Sequence, residues 1–239
     1  MYLPVYLVFY LMEFIERNKN LNGGIKVFEL FLFIDPLCKA CRNSENTVLQ
    51  ISEDVDSKFK LQFIPIYNLK VVQTDFCNSN NQLKKRLSSE ELSALYRNVV
   101  LDYKAALFQG MKKGRKFLTA IQDKLLTEGY IYSDEMAIAI AEKCGLDVEM
   151  FKEDRRSNLA KKSIKKDQDL VQNMKIEKPA SAVIFNCEGN DDGILTDDIE
   201  YSTLFNACCD KNLTPEYLKD ALSESSLKET KMKHLRVLK

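Results

Sequence analysis

IKVFELFLFIDPLCKAC, residues 25–41, is the stretch of this sequence that decides the class of fold. Its first part is apolar, β-branched and aromatic, which predicts a strand buried on both faces that ends at Asp35-Pro36. Two cysteines, Cys38 and Cys41, follow at C-x-x-C spacing. The residues 41–57 carry several apolar positions and neither glycine nor proline, so a helix is expected there.

A strand, a tight proline turn and two thiols on the first turn of a helix form the arrangement of thioredoxin-type redox proteins. Cys38 is expected at the helix N-terminus, where free N–H groups and the positive end of the helix dipole lower the pKa of a thiol. The cation of Lys39 acts in the same direction. Cys41, one turn further on, is then able to attack a mixed disulfide formed at Cys38.

The same pair of cysteines also fits half of a zinc site, or two structural thiols. Zinc normally needs a second pair of ligands, and the sequence contains no other C-x-x-C and no H-x-x-x-H. Its single histidine, His234, lies in a charged tail. We therefore expect neither a metal nor a cofactor, and we predict redox-type geometry at Cys38 and Cys41, with redox activity a separate question.

Composition excludes several functional classes. The 35 Lys and Arg residues balance the 35 Asp and Glu residues, so nothing indicates general binding to nucleic acid or to a membrane surface. Scattered cysteines argue against a secreted disulfide framework, so we expect a cytoplasmic protein whose Cys38 and Cys41 are mostly reduced. Vicinal cysteines late in the chain are interpreted as packing residues rather than as a redox pair. The cysteines outside the C-x-x-C motif are Cys77, Cys144, Cys187, Cys208 and Cys209.

The first residues, MYLPVYLVFYLM, are apolar but form a run shorter than the roughly 20 residues of a membrane-spanning helix. No Lys or Arg precedes the apolar part, Pro4 interrupts it, and no A-x-A cleavage pattern stands before Glu13. We interpret this run as a packing segment, or as sequence upstream of a misplaced start with Met12 as the true first residue. A membrane or export signal is the alternative.

The chain beyond the C-x-x-C helix first returns to strand. Residues 59–67 are expected to form a second strand parallel to the first, which completes a right-handed βαβ unit. The apolar spacing then changes, and five helices are expected between residues 84 and 175. Ser88-Ser-Glu-Glu91 is a capping-box pattern at the start of this region, and Ser133 and Asp147 are expected to cap two later helices.

Sheet character resumes after the helical region. Residues 181–186 form a short apolar strand directly after Pro179, and another short strand is expected around Ile194, after an acidic turn. Thr214-Pro215 provides the N-cap and first position of a last helix. The charged residues from Leu227 onward are expected to fray.

A thioredoxin fold that is split after its first βαβ half by a helical domain, and that resumes at a proline, is similar to the DsbA family. In that family a cis-proline faces the C-x-x-C motif. The resemblance implies that Pro179 is this residue, with a cis Lys178–Pro179 bond within van der Waals reach of Cys38. It also implies an α/β class, a thioredoxin-like fold with an inserted α-helical domain. The expected parts are an N-terminal apolar segment and linker (1–24), the first thioredoxin-like half (25–83), the helical insertion (84–175), and the second half with a C-terminal helix (176–239).

Five motifs give a narrower resemblance: FIDPLC, YKAALFQGMKKGRKFL, IAEKCGLDVEMFKED, KKDQDL and KPASAVIFN. They look like the cytoplasmic YjbH group, also called SpxH, and the resemblance covers roughly residues 25–186. Proteins of this group are adaptors that deliver the transcription regulator Spx to the ClpXP protease. The resemblance implies that this chain binds Spx and promotes its degradation, with ClpX as a further protein partner and with no nucleic-acid or membrane partner.

The alternative function is that of a DsbA-like thiol-disulfide oxidoreductase or isomerase, with Cys38 as nucleophile and Cys41 as resolving thiol. Two departures from the family pattern weaken it. Redox-active relatives usually carry Thr or Val before the cis-proline, where this chain has Lys178. The dipeptide Lys39-Ala40 lacks the His or Pro of strong oxidants and reductants. Both departures favour the adaptor over the enzyme.

Charge clusters offer a weaker signal. Two groups of basic residues are spaced as on helices, and an acidic group follows the strand at 181–186. Solvated helix faces are the ordinary interpretation of such runs, and docking of an acidic partner surface is the alternative. The basic groups are Lys112, Lys113, Arg115 and Lys116, and Lys161, Lys162, Lys165 and Lys166; the acidic group is Glu188, Asp191, Asp192, Asp197, Asp198 and Glu200.

Overall fold

The computed structural model describes residues 27–55, 58–66, 86–186, 193–209 and 235–238. The expectations for residues 1–24 and for a helix from Thr214 lie outside these ranges. The strands are β1 (Val27–Ile34), β2 (Lys58–Pro65), β3 (Ser181–Asn186), β4 (Gly193–Thr196) and β5 (Leu235–Leu238). The helices are α1 (Lys39–Asp54), α2 (Ser89–Phe108), α3 (Met111–Gln122), α4 (Asp134–Lys143), α5 (Val148–Asp154), α6 (Asn158–Asn173) and α7 (Tyr201–Cys209), and the π-helical segment Asp123–Thr127 continues α3.

The strands form one sheet in the order β2-β1-β3-β4-β5. β3 lies antiparallel to β1, with Leu30 opposite Ile184, and β4 and β5 extend the sheet with further antiparallel pairs. The prediction that the strand at 181–186 pairs beside the first strand is confirmed. The strand at 235–238 was not expected, because the sequence around it is charged and was predicted to fray.

β1 is buried from Phe28 onward, as its apolar composition predicted, and this burial includes the carboxylate of Glu29. Burying a carboxylate is costly unless it is paired and hydrogen-bonded. Two side chains of β2 meet this need: Lys60 Nζ lies 2.9 Å from Glu29 Oε1, and Gln62 Nε2 donates to the same oxygen at 2.8 Å. The sheet therefore contains a fixed polar contact inside an otherwise apolar strand pair.

The described residues divide into two compact units. One contains 27–33, 44–55, 58–62, 172–186, 193–209 and 235–238, and the other contains 34–43, 63–66 and 86–171. The predicted domain boundaries, at 83/84 and 175/176, stay predictions. The second unit has its own apolar core, in which the rings of Phe117 and Phe151 lie 5.2 Å apart between centroids.

The helix starts follow the sequence signals. Ser88 and Glu91 form the expected capping box at α2, and the side chains of Ser133 and Asp147 accept hydrogen bonds at the starts of α4 and α5. α3 begins at Met111 without a side-chain cap, and it ends in the π-helical segment. These caps are local interactions, which explains why the sequence predicted them.

Two charged clusters tie the helices of the second unit together. Lys104 of α2 and Asp167 of α6 are both buried and form an ion pair. Asp102 of α2 is fully buried and lies 2.7 Å from Arg155 Nε, while Tyr132 Oη donates to it at 2.7 Å. Burial raises the pKa of Asp102 to about 6, although the charge of Arg155 acts in the opposite direction.

None of the helices in the described ranges is long and apolar enough to cross a membrane.

Candidate functional site

The turn between β1 and α1 is built around the side chain of Asp35. The N–H of Leu37 donates to Asp35 Oδ1 at 2.8 Å, and the N–H of Cys38 donates to the carbonyl oxygen of Asp35 at 3.1 Å. The N–H of Arg42 then donates to the carbonyl oxygen of Cys38 at 3.1 Å, which is the first hydrogen bond of α1. Cys38 therefore occupies the N-cap position, and its predicted place at a helix N-terminus is confirmed.

A tyrosine of α2 stabilises this turn through a hydrogen bond to Asp35. Tyr96 is buried, and its hydroxyl donates to Asp35 Oδ1 at 2.6 Å. Burial, together with the negative charge of Asp35, raises the pKa of Tyr96 far above its usual range, so the hydroxyl stays a hydrogen-bond donor at every physiological pH. This contact was not predicted, because Tyr96 fits the apolar spacing of a helix and Asp35 fits an ordinary Asp-Pro turn.

The sulfur of Cys41 faces the same turn. The N–H of Asp35 lies 3.3 Å from Cys41 Sγ, and Cys41 forms no disulfide and is 0% exposed. Cys38 is 1% exposed and is disulfide-bonded, so the two cysteines of the motif are not bonded to each other. Cys41 is thus held against the turn backbone. The expectation that Cys38 and Cys41 are mostly reduced in the cytosol stays a prediction.

The first turn of α1 also contacts the π-helical segment. Arg42, directly after Cys41, forms an ion pair with Asp123, with Nε 3.4 Å from Oδ1. π-helical turns are rare and often lie at functional sites. The C-x-x-C turn is thus connected to two helices of its unit, through Tyr96 and through Asp123.

The predicted cis-proline is wrong. The described residues contain no cis peptide bond, so the Lys178–Pro179 bond is trans. The chain instead turns into β3 at Ala180, which has a φ of 55° and whose N–H donates to the carbonyl oxygen of Phe33 at 2.8 Å. Ser181 Oγ donates to the carbonyl oxygen of Lys178 at 2.9 Å and closes this turn.

The trans bond removes the reason for giving Pro179 a role in presenting backbone groups to a partner chain. The side chain of Lys178 has a local role instead, because its Nζ lies 2.7 Å from Asp197 Oδ2. The predicted contact between Pro179 and Cys38 stays a prediction, as do the roles of Cys38 and Cys41.

The described part of the chain offers no cluster of side chains that resembles a metal site. Within it, no three His, Cys, Asp or Glu side chains come together as metal ligands do.

Comparison with known proteins identifies the family. The family whose model matches residues 31–207 is described as thioredoxin, and this match covers well over half of the chain. The chain belongs to this thioredoxin family. A solved structure described as a putative protein disulfide isomerase from Nitrosomonas europaea has the same fold, with a TM-score of 0.57 and 13% identity, and the alignment covers 84% of this chain and all of that one. The predicted thioredoxin-like fold with a helical insertion is confirmed.

Curated relatives of this thioredoxin-family chain are named ClpXP adapter protein SpxH. The protein of that name from Staphylococcus saprophyticus is 26% identical over 179 residues, which are 75% of this chain and 63% of the relative. Its counterpart from Bacillus subtilis is 27% identical over 194 residues, which are 71% of this chain and 62% of the relative. The resemblance to the SpxH group that the motifs indicated is confirmed, and this chain spans less than two thirds of these relatives' length.

Proposed function

We propose that this chain is a cytoplasmic adaptor that binds the transcription regulator Spx and promotes its degradation by the ClpXP protease. The observation that supports the proposal is the similarity to proteins named ClpXP adapter protein SpxH, which extends over 71–75% of the chain. An adaptor acts by holding two partners together, which raises the effective concentration of one at the other. This role requires a folded binding surface and needs no reactive group.

The burial of the two cysteines favours an adaptor over an enzyme. Thiol-disulfide exchange begins when a thiolate attacks a sulfur atom that it can reach, so catalytic cysteines are at least partly exposed. Cys38 and Cys41 are 1% and 0% exposed. A partner's disulfide cannot reach either sulfur atom while both cysteines are buried in this way.

The second candidate is a thiol-disulfide oxidoreductase. The N-cap position of Cys38 supports it, because the N–H groups and dipole of α1 stabilise a thiolate there. In such an enzyme Cys38 is the nucleophile and Cys41 the resolving thiol. Pro179 has no assigned part in this mechanism, since its peptide bond is trans.

The Cys38→Ser, Cys41→Ser double variant separates the two candidates. In a reconstituted assay with ClpXP and Spx, we expect the variant and the wild type to accelerate Spx degradation equally. A disulfide-reduction assay is run in parallel on the same proteins. Cys144→Ser is the control for burying a hydroxyl in place of a thiol, since Cys144 is a buried cysteine outside the motif.

Two results would contradict the adaptor proposal. The first is a wild-type protein that never accelerates Spx degradation but reduces disulfides in a manner that depends on Cys38. The second is recovery of the protein in a membrane or exported fraction, away from the cytoplasmic protease.

A further inference from the structure

Helix α6 has one face whose position is fixed by burial. Ala160, Asp167 and Val171 are its buried residues, and Asp167 forms the buried ion pair with Lys104 of α2. A helix held in this way cannot rotate about its axis without breaking that pair. The opposite face of α6 is therefore presented in a defined orientation.

That opposite face carries a compact group of cations, which we name the α6 lysine face. Each of its lysines is exposed, and none forms an ion pair with any carboxylate of the described residues. Residues three and four apart are neighbours on a helix surface, so the four ammonium groups lie close together. The α6 lysine face consists of Lys161, Lys162, Lys165 and Lys166, on two successive turns.

Like charges at this spacing repel one another, which destabilises the free helix. The nearest carboxylate along the exposed face is that of Asp169, one turn beyond Lys165 and Lys166, and it pairs with none of them. Anionic groups that bind this face would relieve the repulsion as well as form new attractions. Charge alone therefore points to an acidic occupant.

An apolar side chain adjoins the cations. Leu159 is 60% exposed and lies three and seven residues before Lys162 and Lys166, which places it on the same row of the helix surface. An exposed leucine gains free energy when a partner covers it, in proportion to the apolar area that is buried. Leu159 thus offers one apolar contact beside the α6 lysine face.

We propose that Leu159 and the α6 lysine face form a docking surface for an acidic amphipathic segment of a partner protein. The four lysines extend over only about 8 Å along the helix axis, at about 1.5 Å per residue. Nucleic-acid surfaces ordinarily extend much further and belong to basic chains, whereas this chain has equal numbers of acidic and basic residues. A short carboxylate-rich segment with a leucine or similar anchor fits both the length and the composition.

The inference goes beyond the adaptor role, because it assigns a surface that would bind such a segment whether or not Spx is the partner. Direct binding to the full chain tests it without the protease. The probe is a fluorescein-labelled peptide of alternating glutamate and leucine, and the readout is fluorescence anisotropy at low ionic strength.

The test variant is Lys162→Glu, Lys166→Glu, and its matched control is Lys112→Glu, Lys116→Glu. Both pairs are exposed lysines four residues apart on a helix, and neither has an ion-pair partner in the described residues. We expect the first variant to bind the peptide on the order of tenfold more weakly and the control to stay within about twofold of wild type. Leu159→Ala is expected to weaken binding by about threefold.

A second variant, Lys162→Ala, Lys166→Ala, removes the two charges without adding carboxylates, and it replaces the glutamate variant if that protein loses its helical circular dichroism signal. We expect it to bind about threefold more weakly than wild type. The proposal is overturned if wild type does not bind the peptide, or if the control variant loses as much affinity as the test variant. Tighter binding to single-stranded DNA or to anionic vesicles than to the peptide would overturn it as well.

Discussion

Removing one oxygen atom from Tyr96 should weaken the C-x-x-C turn without changing its shape. Tyr96→Phe keeps the buried ring and deletes the hydroxyl that donates to Asp35 Oδ1 at 2.6 Å. A hydrogen bond to a charged group contributes about 1.5–3 kcal/mol, against about 1 kcal/mol for a neutral pair. Since Tyr96 is buried and its acceptor is a carboxylate, we expect a loss of about 2 kcal/mol in the free energy of unfolding.

Tyr103→Phe is the matched control. Tyr103 lies on the same helix, is equally buried, and donates at 3.1 Å to the neutral carbonyl oxygen of Phe63. We expect this variant to lose about 1 kcal/mol. For a chain of this length each kcal/mol corresponds to roughly 2–4 °C, so the melting temperature should fall by about 4–8 °C in Tyr96→Phe and by about half as much in Tyr103→Phe.

The assay is thermal unfolding followed by circular dichroism, with Asp35→Asn and the double variant added to complete a cycle. Asn keeps an oxygen for the N–H of Leu37 but removes the charge that Tyr96 contacts. We expect a coupling energy between Tyr96 and Asp35 of about 1–2 kcal/mol. The reasoning is refuted if Tyr96→Phe costs no more than Tyr103→Phe, or if the two changes at Tyr96 and Asp35 are additive.

Three further predictions concern the charged clusters and the turn before β3. Because the pKa of Asp102 is raised to about 6, the folded protein binds a proton between about pH 4 and pH 6 that the unfolded chain does not, so this group's contribution to stability rises as the pH falls. Asp102→Asn should remove this contribution, which is on the order of 3 kcal/mol. Equal pH dependence of stability for wild type and variant in urea unfolding would contradict this prediction. Lys104→Met leaves the carboxylate of Asp167 buried without its partner and should lower the free energy of unfolding by about 3–5 kcal/mol. The Lys104→Met, Asp167→Leu double variant should recover most of that stability. A double variant that is no more stable than Lys104→Met in urea unfolding would contradict this prediction. Ala180→Gly should increase the free energy of unfolding by up to roughly 1 kcal/mol, and so raise the melting temperature, because glycine adopts the φ of 55° more readily than alanine. A lower melting temperature would show that the turn is not strained.

Sequence reasoning succeeded where the signal is local. The apolar run of β1, the proline turn and the helix that starts after Cys38 lie within a few residues of one another, and the caps at Ser88 and Ser133 involve residues three apart. Periodicity and capping patterns report such contacts directly. The class of fold and the position of the two cysteines were therefore predictable.

The contacts that complete the site are distant in sequence. Tyr96 and Asp35 are 61 residues apart, and nothing in the spacing of either residue indicates the other. The trans bond at Pro179 was mispredicted because the resemblance supplied the cis geometry, whereas the left-handed conformation of Ala180 makes the turn. β5 was missed because its four residues become a strand only through pairing with β4.

The buried carboxylate of β1 also bears on how the sheet selects its alignment. A strand that is apolar on both faces can slip along its neighbour by one residue with little change in the apolar surface it buries, so its own pattern specifies the register poorly. Glu29 removes that freedom, because only one alignment of β1 with β2 brings it to both Lys60 and Gln62. Any shifted alignment would leave a charge buried without its partners, at a cost of several kcal/mol. Glu29 thus selects one register of β1 against β2 and disfavours misaligned sheets during folding.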